Sequence, residues 1–225
     1  MTGTLINVGA VMIGSTVGLV FRSRIPDRLF KIVFQAIGLF TIYLGVNMAF
    51  QAKELLLMVF SLVVGGFTGE ALRIESRVEK LSDRLKQKFG KGDEKFTPGL
   101  VTAFLLFCMG SMSILGCFEE GMGKEPNLLL TKSVMDGFSS VALAAALGIG
   151  VLFSVVPLLI YQGGLTLLAA LFGDVVPVEV INEITGVGGI LILGLGISLL
   201  ELKRIKVLNL LPALVVEVIL CYIFL

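Results

Sequence analysis

Two acidic residues stand inside apolar stretches of the sequence, where a charged side chain is costly and usually functional. Glu217 has only apolar neighbours, and Asp136 lies close to Gly137 and Ser140. Either carboxylate could bind a coupling cation or a proton. For Asp136 the alternative is a role at a helix start, because residues 133–136 fit a capping pattern. For Glu217 the alternative is an ion pair with a basic residue at a subunit interface.

Neutral polar side chains recur in the same apolar stretches, and in hydrocarbon such groups face a neighbouring helix or a water-filled cavity. Helix-breaking residues such as Gly150, Pro157 and Gly186 accompany them, and broken helices are where transporters place binding sites. Residues 110–113 are predicted to be unwound or closely packed. The alternative is that small polar residues only let helices pack closely. The residues predicted to line a substrate site are Asn7, Ser15, Asn47, Ser111, Ser154, Gln162 and Ser198.

The residue types that are missing exclude several kinds of chemistry. The chain has no histidine, so neither a histidine-based nucleophile system nor an imidazole metal site can be assembled. Cys108, Cys117 and Cys221 stand singly in apolar surroundings, which predicts small buried hydrophobes rather than ligands. We therefore expect no enzyme activity, no metal and no cofactor. With 18 basic and 17 acidic residues, there is no basic excess to bind nucleic acid.

The composition is that of a membrane protein. Of the 225 residues, 56% are hydrophobic and 16% are charged, whereas about 25% are charged in a soluble domain. A helix needs about 20 apolar residues to cross the hydrocarbon core. The predicted fold is an all-α integral membrane protein with about eight transmembrane helices, of which the short fifth could instead be a re-entrant half-helix. The spans run near residues 3–21, 30–50, 54–72, 98–118, 133–149, 150–172, 184–201 and 206–224.

The charges of the loops predict the orientation of these spans, because Lys and Arg concentrate in cytoplasmic loops. The loops after the first, third and seventh spans are basic, whereas those after the second, fourth and sixth are acidic or weakly charged. Both termini are therefore expected outside. Without the fifth span, Lys203, Arg204 and Lys206 would lie on the outer face, so the charge rule favours eight crossings. Since Arg22 follows the first apolar stretch instead of preceding it, this stretch is read as a retained span.

One sizeable polar segment, residues 73–96, joins the third and fourth spans. Ile74, Val78, Leu81, Leu85 and Phe89 recur at spacings of three and four residues between charged positions, which predicts an amphipathic helix. We expect this helix to lie along the cytoplasmic interface with its basic side chains near anionic lipid. The alternative is a helix that pairs with a second subunit.

The two ends of the sequence resemble each other. Residues 25–47 align with residues 176–198 at a shift of 151, and residues 3–8 align with residues 150–155 at a shift of 147. Basic loops of one copy match non-basic loops of the other, and the copies start five crossings apart. Both observations predict opposite orientations, an arrangement common in transporters. We predict an inverted repeat of three plus three helices in a single membrane domain, residues 1–225. Repeat A covers residues 3–72, repeat B covers residues 150–225, and two inserted helices lie within residues 98–149.

Four motifs resemble a bacterial protein family. They are the Gly-Ser-Met stretch at 110–112, the segment at 132–137, the turn at 147–151 followed by Ser154 and Gln162, and the Asn-Leu-Leu-Pro-Ala stretch at 209–213. As a set they resemble the family that includes YqgA and YdfK, also called domain of unknown function 554, over nearly the whole chain. The resemblance implies a multi-pass protein of the bacterial cytoplasmic membrane that is usually described as a transporter. It implies no functional residues.

Together these features favour a secondary transporter or facilitator of a small solute or ion. Under the repeat alignment Asn7 matches Ser154, Ser15 matches Gln162 and Asn47 matches Ser198, which predicts alternating access around a midplane site at the repeat interface. The alternatives are a channel, because the polar residues are mostly neutral, and a non-transporting scaffold or sensor. Spacings such as that of Gly14 and Gly18 are compatible with helix pairing. The expected partners are therefore the lipid bilayer, an unidentified solute or ion, and further copies in a homodimer or higher homo-oligomer.

Overall fold

The computed structural model describes residues 1–22, 27–89, 95–108, 110–172 and 177–224. Within these ranges the chain is helical and contains no β-strand. The helices are α1 (Thr2–Arg22), α2 (Asp27–Ala49), α3 (Leu55–Ala71), α4 (Ile74–Phe89), α5 (Phe96–Cys108), α6 (Ser111–Gly121), α7 (Asn127–Leu147), α8 (Gly150–Phe153), α9 (Val155–Phe172), α10 (Val178–Leu199) and α11 (Pro212–Phe224), with a 3-10 helix over Val207–Leu210.

Several of these helices have the length and composition of membrane spans. Five spans in the described part of the chain are long and apolar enough to cross a bilayer. The number rises to seven if the bent pairs α3 with the first part of α4, and α5 with α6, each count as one crossing. α2 adds a shorter apolar stretch, Gln35–Ala49. The all-helical membrane class is therefore confirmed, and eight crossings remain a prediction.

The predicted fifth span is an uninterrupted helix of 21 residues, α7. α7 begins at Asn127 instead of near residue 133. The sequence suggested that Lys132 lies in a loop, whereas it lies inside the helix. The re-entrant alternative therefore has no support in the helix itself. The interruption lies in the fourth span, where α5 and the helix from Met112 meet at 62°. Gly110 adopts an extended conformation at this break, within the stretch predicted to be unwound or closely packed.

The chain divides into two compact units. Unit 1 comprises Met1–Val33 and Ser82–Val176, and unit 2 comprises Phe34–Leu81 and Pro177–Leu225. Each unit therefore combines segments from both ends of the sequence. The prediction of a single membrane domain is not tested by this division.

Unit 1 is built on close contacts between helices that run in the same direction. A methyl group at Gly14 of α1 would overlap Gly137 and Ser140 of α7, and one at Gly18 would overlap the Val141 carbonyl. The order of these contacts along both helices makes α1 and α7 parallel. In lipid the hydrophobic effect contributes little to helix association, so van der Waals contacts become important. Small residues that allow close packing therefore stabilise the pair. The glycines whose spacing suggested a homodimer are therefore used within the chain.

Two further helix contacts and one hinge belong to unit 1. The ring of Phe96 packs at a tilt against Phe153 and that of Phe104 packs edge-to-face against Tyr161, so α5 runs parallel to α8 and α9. Between α7 and α8 the chain turns at Gly148, which has φ +80°. This left-handed conformation favours glycine because it has no Cβ.

Unit 2 is built on two antiparallel pairs. Gly38 and Gly45 of α2 lie against Gly196 and Gly189 of α10, and a Cβ added at Gly45 would come within 2.8 Å of the Gly189 carbonyl oxygen. The face of α3 that carries Gly65 and Gly69 lies against residues 209–213 at the start of α11. In both pairs the helices can approach closely because the contacting glycines have no side chain.

The amphipathic helix predicted between the third and fourth spans is confirmed as α4 over Ile74–Phe89. α3 and the first part of α4 meet at 51°. Arg73 stands at this corner with φ +52°, a conformation that most residues avoid. The corner redirects the chain from the membrane-spanning α3 into the polar α4.

Candidate functional site

A buried polar network connects three helices of unit 1. The Nδ2 atom of Asn7 on α1 donates to Oδ2 of Asp136 on α7 and to Oε1 of Gln162 on α9, each at 3.2 Å. Lys132 Nζ forms an ion pair with the same Asp136 oxygen at 2.5 Å. The residues Asn7, Lys132, Asp136 and Gln162 are called the polar network below. Three of these four were predicted as site residues from the sequence.

Helix geometry places these side chains together. Asn7, Val11, Gly14 and Gly18 are all buried and recur at three- and four-residue spacing, which puts them along one side of α1. Since Gly14 and Gly18 hold α1 against α7, Asn7 faces α7 as well. Lys132 and Asp136 are four residues apart and therefore share one face of α7. Asp136 lies nine residues into the helix, or about 14 Å along it at 1.5 Å per residue.

The network is closed to solvent but not saturated with hydrogen bonds. Asn7 and Gln162 are 0% exposed, and Lys132 and Asp136 are each 6% exposed. Asn7 Oδ1 and Gln162 Nε2 have no hydrogen-bond partner among the described residues, and neither has Ser15 Oγ farther along α1. Buried polar groups are almost always paired. One acceptor, two amide protons and one hydroxyl are therefore free to bind a polar ligand or ordered water.

The network carries both signs of charge. A buried ion pair is strongly destabilised if one partner is removed, because the other charge is left uncompensated. The Lys132 ammonium group also lies 5.9 Å from the centre of the Phe107 ring. Phe107 is next to the end of α5, and its carbonyl accepts a hydrogen bond from Ser113 Oγ at 2.7 Å. The break between α5 and α6 therefore lies beside the charged pair.

Glu120 anchors the first turn of α1 in the same unit. Its carboxylate accepts hydrogen bonds from the Gly3 backbone at 2.6 Å and from Thr4 Oγ1 at 2.7 Å. Thr166 of α9 donates to it at 3.4 Å. A carboxylate is favourable at a helix N-terminus, where backbone N–H groups are unpaired. Glu120 thus fixes the end of α1 from which Asn7 projects.

The other predicted site residues of unit 1 do not join the network through a described hydrogen bond. Ser154 is buried and donates to the Val151 carbonyl within its own helical turn. The backbone of Ser111 begins α6 at the break, and its side chain lies outside the described residues. The helix-start alternative for Asp136 is wrong, because α7 begins at Asn127.

Unit 2 holds the remaining predicted residues. Asn47 is exposed on α2. Ser198 closes the turn after α10, since it donates to the Gly194 carbonyl and accepts from the Ile205 backbone, both at 3.0 Å. Glu217 is fully buried on α11. The repeat alignment at a shift of 151 paired Asn47 with Ser198, but Asn47 is exposed and Ser198 is hydrogen-bonded within its own turn.

A second polar cluster surrounds the corner between α3 and α4. Lys206 contacts Glu70 at 2.9 Å, and Arg204 binds Glu75 at 3.2 Å and also Glu79. These side chains line a cleft of about 430 Å³ together with Arg73, Ser76 and Asn209. The charge of Glu79 raises the pKa of Arg204, and the hydrogen bond with Glu70 raises the pKa of Lys206. Both bases therefore stay charged at neutral pH.

Asn209 joins three segments at this corner. Its Oδ1 accepts from the Glu75 backbone at 2.7 Å, and its Nδ2 donates to Glu70 at 2.6 Å. Gly69 lies directly against the Asn209 backbone, where a Cβ would overlap the carbonyl. Asn209 therefore satisfies a backbone donor of the first turn of α4 from outside that helix.

Lys132, Glu120 and Asn209 were not predicted as functional or structural centres. For Lys132 a signal exists in the sequence, because it stands four residues before Asp136 and a helix would bring the two charges together. Glu120 and Asn209 reach their partners over more than a hundred residues of sequence, and no local pattern indicates such contacts. The described residues contain no group of three or more Cys, Asp or Glu side chains placed to hold a metal.

The apolar helices, their small-residue contacts and the polar side chains buried between them define a multi-span α-helical membrane protein. The family model described as "Protein of unknown function (DUF554)" matches residues 2–222. The chain belongs to this family.

Two relatives cover almost the whole chain. The chain is 39% identical over 220 residues to "Uncharacterized membrane protein YdfK" of Bacillus subtilis (strain 168), which covers 96% of this chain and 93% of the relative. It is 30% identical over 217 residues to "Uncharacterized protein YqgA" of Escherichia coli (strain K12), covering 94% and 92%. No solved structure matches the chain significantly. The sequence resemblance is thereby confirmed.

Proposed function

We propose that the protein is a secondary transporter or facilitator that moves a small solute or ion across the bacterial cytoplasmic membrane. The observation that carries this proposal is the polar network of unit 1. It lies between apolar helices, is closed to solvent and leaves Asn7 Oδ1 and Gln162 Nε2 without described partners. A network that only held helices together would gain stability from pairing these atoms. A solute could supply the missing donor and acceptor.

The interrupted helix beside the network supports this proposal. Transporter sites are commonly formed where a membrane helix is discontinuous, because the free backbone groups and helix ends can contact the substrate. Here α5 ends and α6 begins next to Phe107, whose ring faces Lys132. The junction at which α5 ends and α6 begins is therefore where we expect a conformational change during transport.

The directions of the helices support an inverted repeat. Eight alternating crossings require the first and fifth spans to be parallel, the fourth and sixth to be parallel, and the second and seventh to be antiparallel. α1 with α7, α5 with α9, and α2 with α10 have these relations within their units. The shift of 151 also relates Gly38 to Gly189 and Gly45 to Gly196, and these four residues form a single crossing. Exchange of the two copies leaves this contact unchanged.

A binding experiment comes first because it needs no knowledge of the substrate. A ligand that binds only the folded protein raises its thermal stability by mass action. We would measure the unfolding midpoint of the purified protein in mild detergent against a panel of ions and small metabolites. The expected result is a shift that is lost in Gln162→Leu. The matched control is Thr16→Val, which changes an exposed hydroxyl on α1 that bonds only the Met12 carbonyl.

Uptake into proteoliposomes then tests the function directly. For a ligand found in the first experiment, we expect saturable uptake in the wild type and in Thr16→Val, and loss of uptake in Asn7→Leu. Uptake that survives Asn7→Leu together with Gln162→Leu would refute the site. Flux that never saturates would identify a channel instead. A folded protein that binds no compound and passes no solute would favour a scaffold or sensor that acts through α4.

We also propose a homo-oligomer, although none of the described contacts supports one. Gly14 and Gly18 pack against α7 within the chain, so their spacing is no longer evidence for contact with a second copy. The measurement is the molar mass of the protein in detergent, corrected for bound detergent.

A further inference from the structure

One buried carboxylate of unit 2 has no partner among the described residues. Glu217 is 0% exposed, and neither of its carboxylate oxygens accepts or donates a hydrogen bond. It lies five residues after Pro212, about 8 Å along α11. Ala213, Glu217 and Cys221 are buried at four-residue intervals and form the face of α11 that packs into the unit.

The other buried carboxylates of the described chain are all bound. Asp136 pairs with Lys132, and Glu120 binds the first turn of α1. Glu183 of α10 accepts from the backbone of Lys53 at 2.8 Å and from that of Glu54 at 3.3 Å. Among the described acidic residues that are buried, Glu217 therefore lacks a donor for both oxygens, whereas the partly exposed Glu119 has one buried oxygen, Oε2, without a partner.

Among the described residues, no basic group acts on the Glu217 carboxyl group. Ser61 of α3 lies next to the carboxyl group, and its hydroxyl also lies 2.9 Å from the Met58 carbonyl oxygen, so it is a neutral neighbour that brings no charge to Glu217. The titratable groups that act on this region are Glu183 of α10, Glu54 at the start of α3 and Cys221 on α11 itself. All of them are acidic or neutral.

An isolated carboxylate in such a place is unstable as an anion. The cost of burying an unpaired charge is so large that the group takes up a proton or binds a cation instead. We propose that Glu217 is a proton-binding site of the protein and that it carries a proton in the conformation described. Proton binding by Glu217 does not depend on the proposed function, whereas its use to drive transport rests on it.

Release of this proton would change the contact between α3 and α11. Gly65 of α3 lies against Ala213, one turn before Glu217, with no room for a Cβ between them. A negative charge at Glu217 would face Glu183 and would need water or a donor. Deprotonation therefore favours a looser α3–α11 contact that admits water, and protonation favours the packed one.

Infrared spectroscopy of the reconstituted protein tests the proton directly. A protonated carboxyl group has a carbonyl stretch separate from that of carboxylates. We expect one such band in the wild type at neutral pH, its loss in Glu217→Gln and its displacement in Glu217→Asp. The matched control is Glu183→Gln, which should keep the band because the Glu183 carboxyl group accepts hydrogen bonds from the Lys53 and Glu54 backbones. A folded wild type whose protonated-carboxyl region is unchanged by Glu217→Gln would overturn the proposal.

The pH dependence of stability provides an independent test. Because the folded state holds this proton above the pH at which an unfolded Glu releases it, about 4.3, the wild type should lose stability as pH rises from there. Glu217→Gln lacks this loss, so its unfolding midpoint should gain on that of the wild type with increasing pH. If the midpoint of the wild type rises with Na⁺ or K⁺ at constant pH and that of Glu217→Gln does not, Glu217 binds a cation and the proton site is refuted.

The coupling role is tested only after a substrate is known. If Glu217→Gln still takes up that substrate but no longer responds to a pH gradient, Glu217 couples proton and solute movement. If no solute is transported while the infrared band behaves as expected, the proton site stands and the transporter proposal fails. If the response to a pH gradient survives in Glu217→Gln, the coupling role fails.

Discussion

Asp136 and Glu217 are acids in similar positions on apolar helices, yet their partners give them different chemistry. Asp136 shares α7 with Lys132, and Asn7 donates to the same oxygen that Lys132 binds. Its charge is thereby compensated at a site that still has free amide atoms. Glu217 has none of these partners among the described residues. The first arrangement suits recognition of a polar solute, and the second suits uptake and release of a proton.

The pair Lys132 and Asp136 makes a prediction about stability. In Lys132→Met the Asp136 carboxylate remains buried without its cation, and removal of one partner of a buried pair costs about 3–5 kcal/mol. We expect the free energy of unfolding in mild detergent to fall by about 3 kcal/mol. The double variant Lys132→Met with Asp136→Leu removes both charges and should be more stable than either single variant. A double variant whose loss equals the sum of the two single losses would show that the pair is not coupled.

Whether a site residue could be predicted from the sequence depends on whether its signal is local or arises from contacts between distant helices. Asn7, Gln162 and Asp136 were found because a polar residue in an apolar stretch is conspicuous in any membrane sequence. Their meeting in one hydrogen-bonded network was not, because it depends on how α1, α7 and α9 pack. Asn47 was equally conspicuous, and it is exposed. Residue type alone does not distinguish a side chain that faces the interior from one that faces outward.

At the scale of elements, glycine contacts determine which helices pair. A methyl group at Gly14 would overlap Gly137 and Ser140 on α7, whereas one at Gly9 of the same helix meets nothing within 4 Å. Overpacking of this kind costs about 1–3 kcal/mol. We expect Gly14→Ala to lower the unfolding midpoint in detergent and Gly9→Ala to leave it unchanged or slightly raised. Equal effects of the two substitutions would contradict the close packing of the Gly14 face of α1 on α7.

The corner between α3 and α4 gives a second prediction at this scale. In Asn209→Ala two part-buried hydrogen bonds are lost, one from the Glu75 backbone N–H and one to the Glu70 carboxylate, and a hydrogen bond contributes about 0.5–1.5 kcal/mol. Lys206→Gln removes an ion pair whose side chains are 58% and 59% exposed, and exposed pairs contribute less than about 1 kcal/mol. We therefore expect Asn209→Ala to be the more destabilising in chemical unfolding. The reverse order would mean that the ion pair, and not Asn209, holds the corner.

The elements themselves were largely predictable, because hydropathy and helical periodicity are local properties. The apolar segments and the amphipathic α4 follow from them directly. The start of α7 was placed too late, since Lys132 resembles a loop residue until its partner Asp136 is considered. The break near Gly110 was anticipated from a glycine and two serines, although its angle depends on the packing of α6 against α9.

For the whole molecule, the order of contacts restricts how the chain can cross the membrane. The N-terminal turn of α1 binds Glu120 at the end of α6, so the start of the first span and the end of the fourth lie at the same level. Eight alternating crossings place both on the outer side when the basic loops are inside. An N-terminus of α1 on the outer side is thus compatible with the contacts in unit 1 as well as with the charges.

Thiol labelling in intact cells tests this orientation. Cys108, Cys117 and Cys221 are buried. Their replacement by alanine gives a background free of thiols. Lys124 is exposed after α6 and Leu202 is exposed after α10. A membrane-impermeant maleimide should label Lys124→Cys in intact cells and Leu202→Cys only after permeabilisation.

Each substitution leaves the predicted orientation intact under the charge rule. Lys124→Cys removes a basic residue from an outer loop, and Leu202→Cys leaves the three basic residues at 203–206 in place. If only Leu202→Cys were labelled in intact cells, the orientation of the protein would be the opposite of the predicted one. Full labelling of both would place the two loops on one side, which an odd number of crossings between them forbids. Partial labelling of both, made complete by permeabilisation, would indicate a protein that inserts in both directions, as a weak charge bias permits.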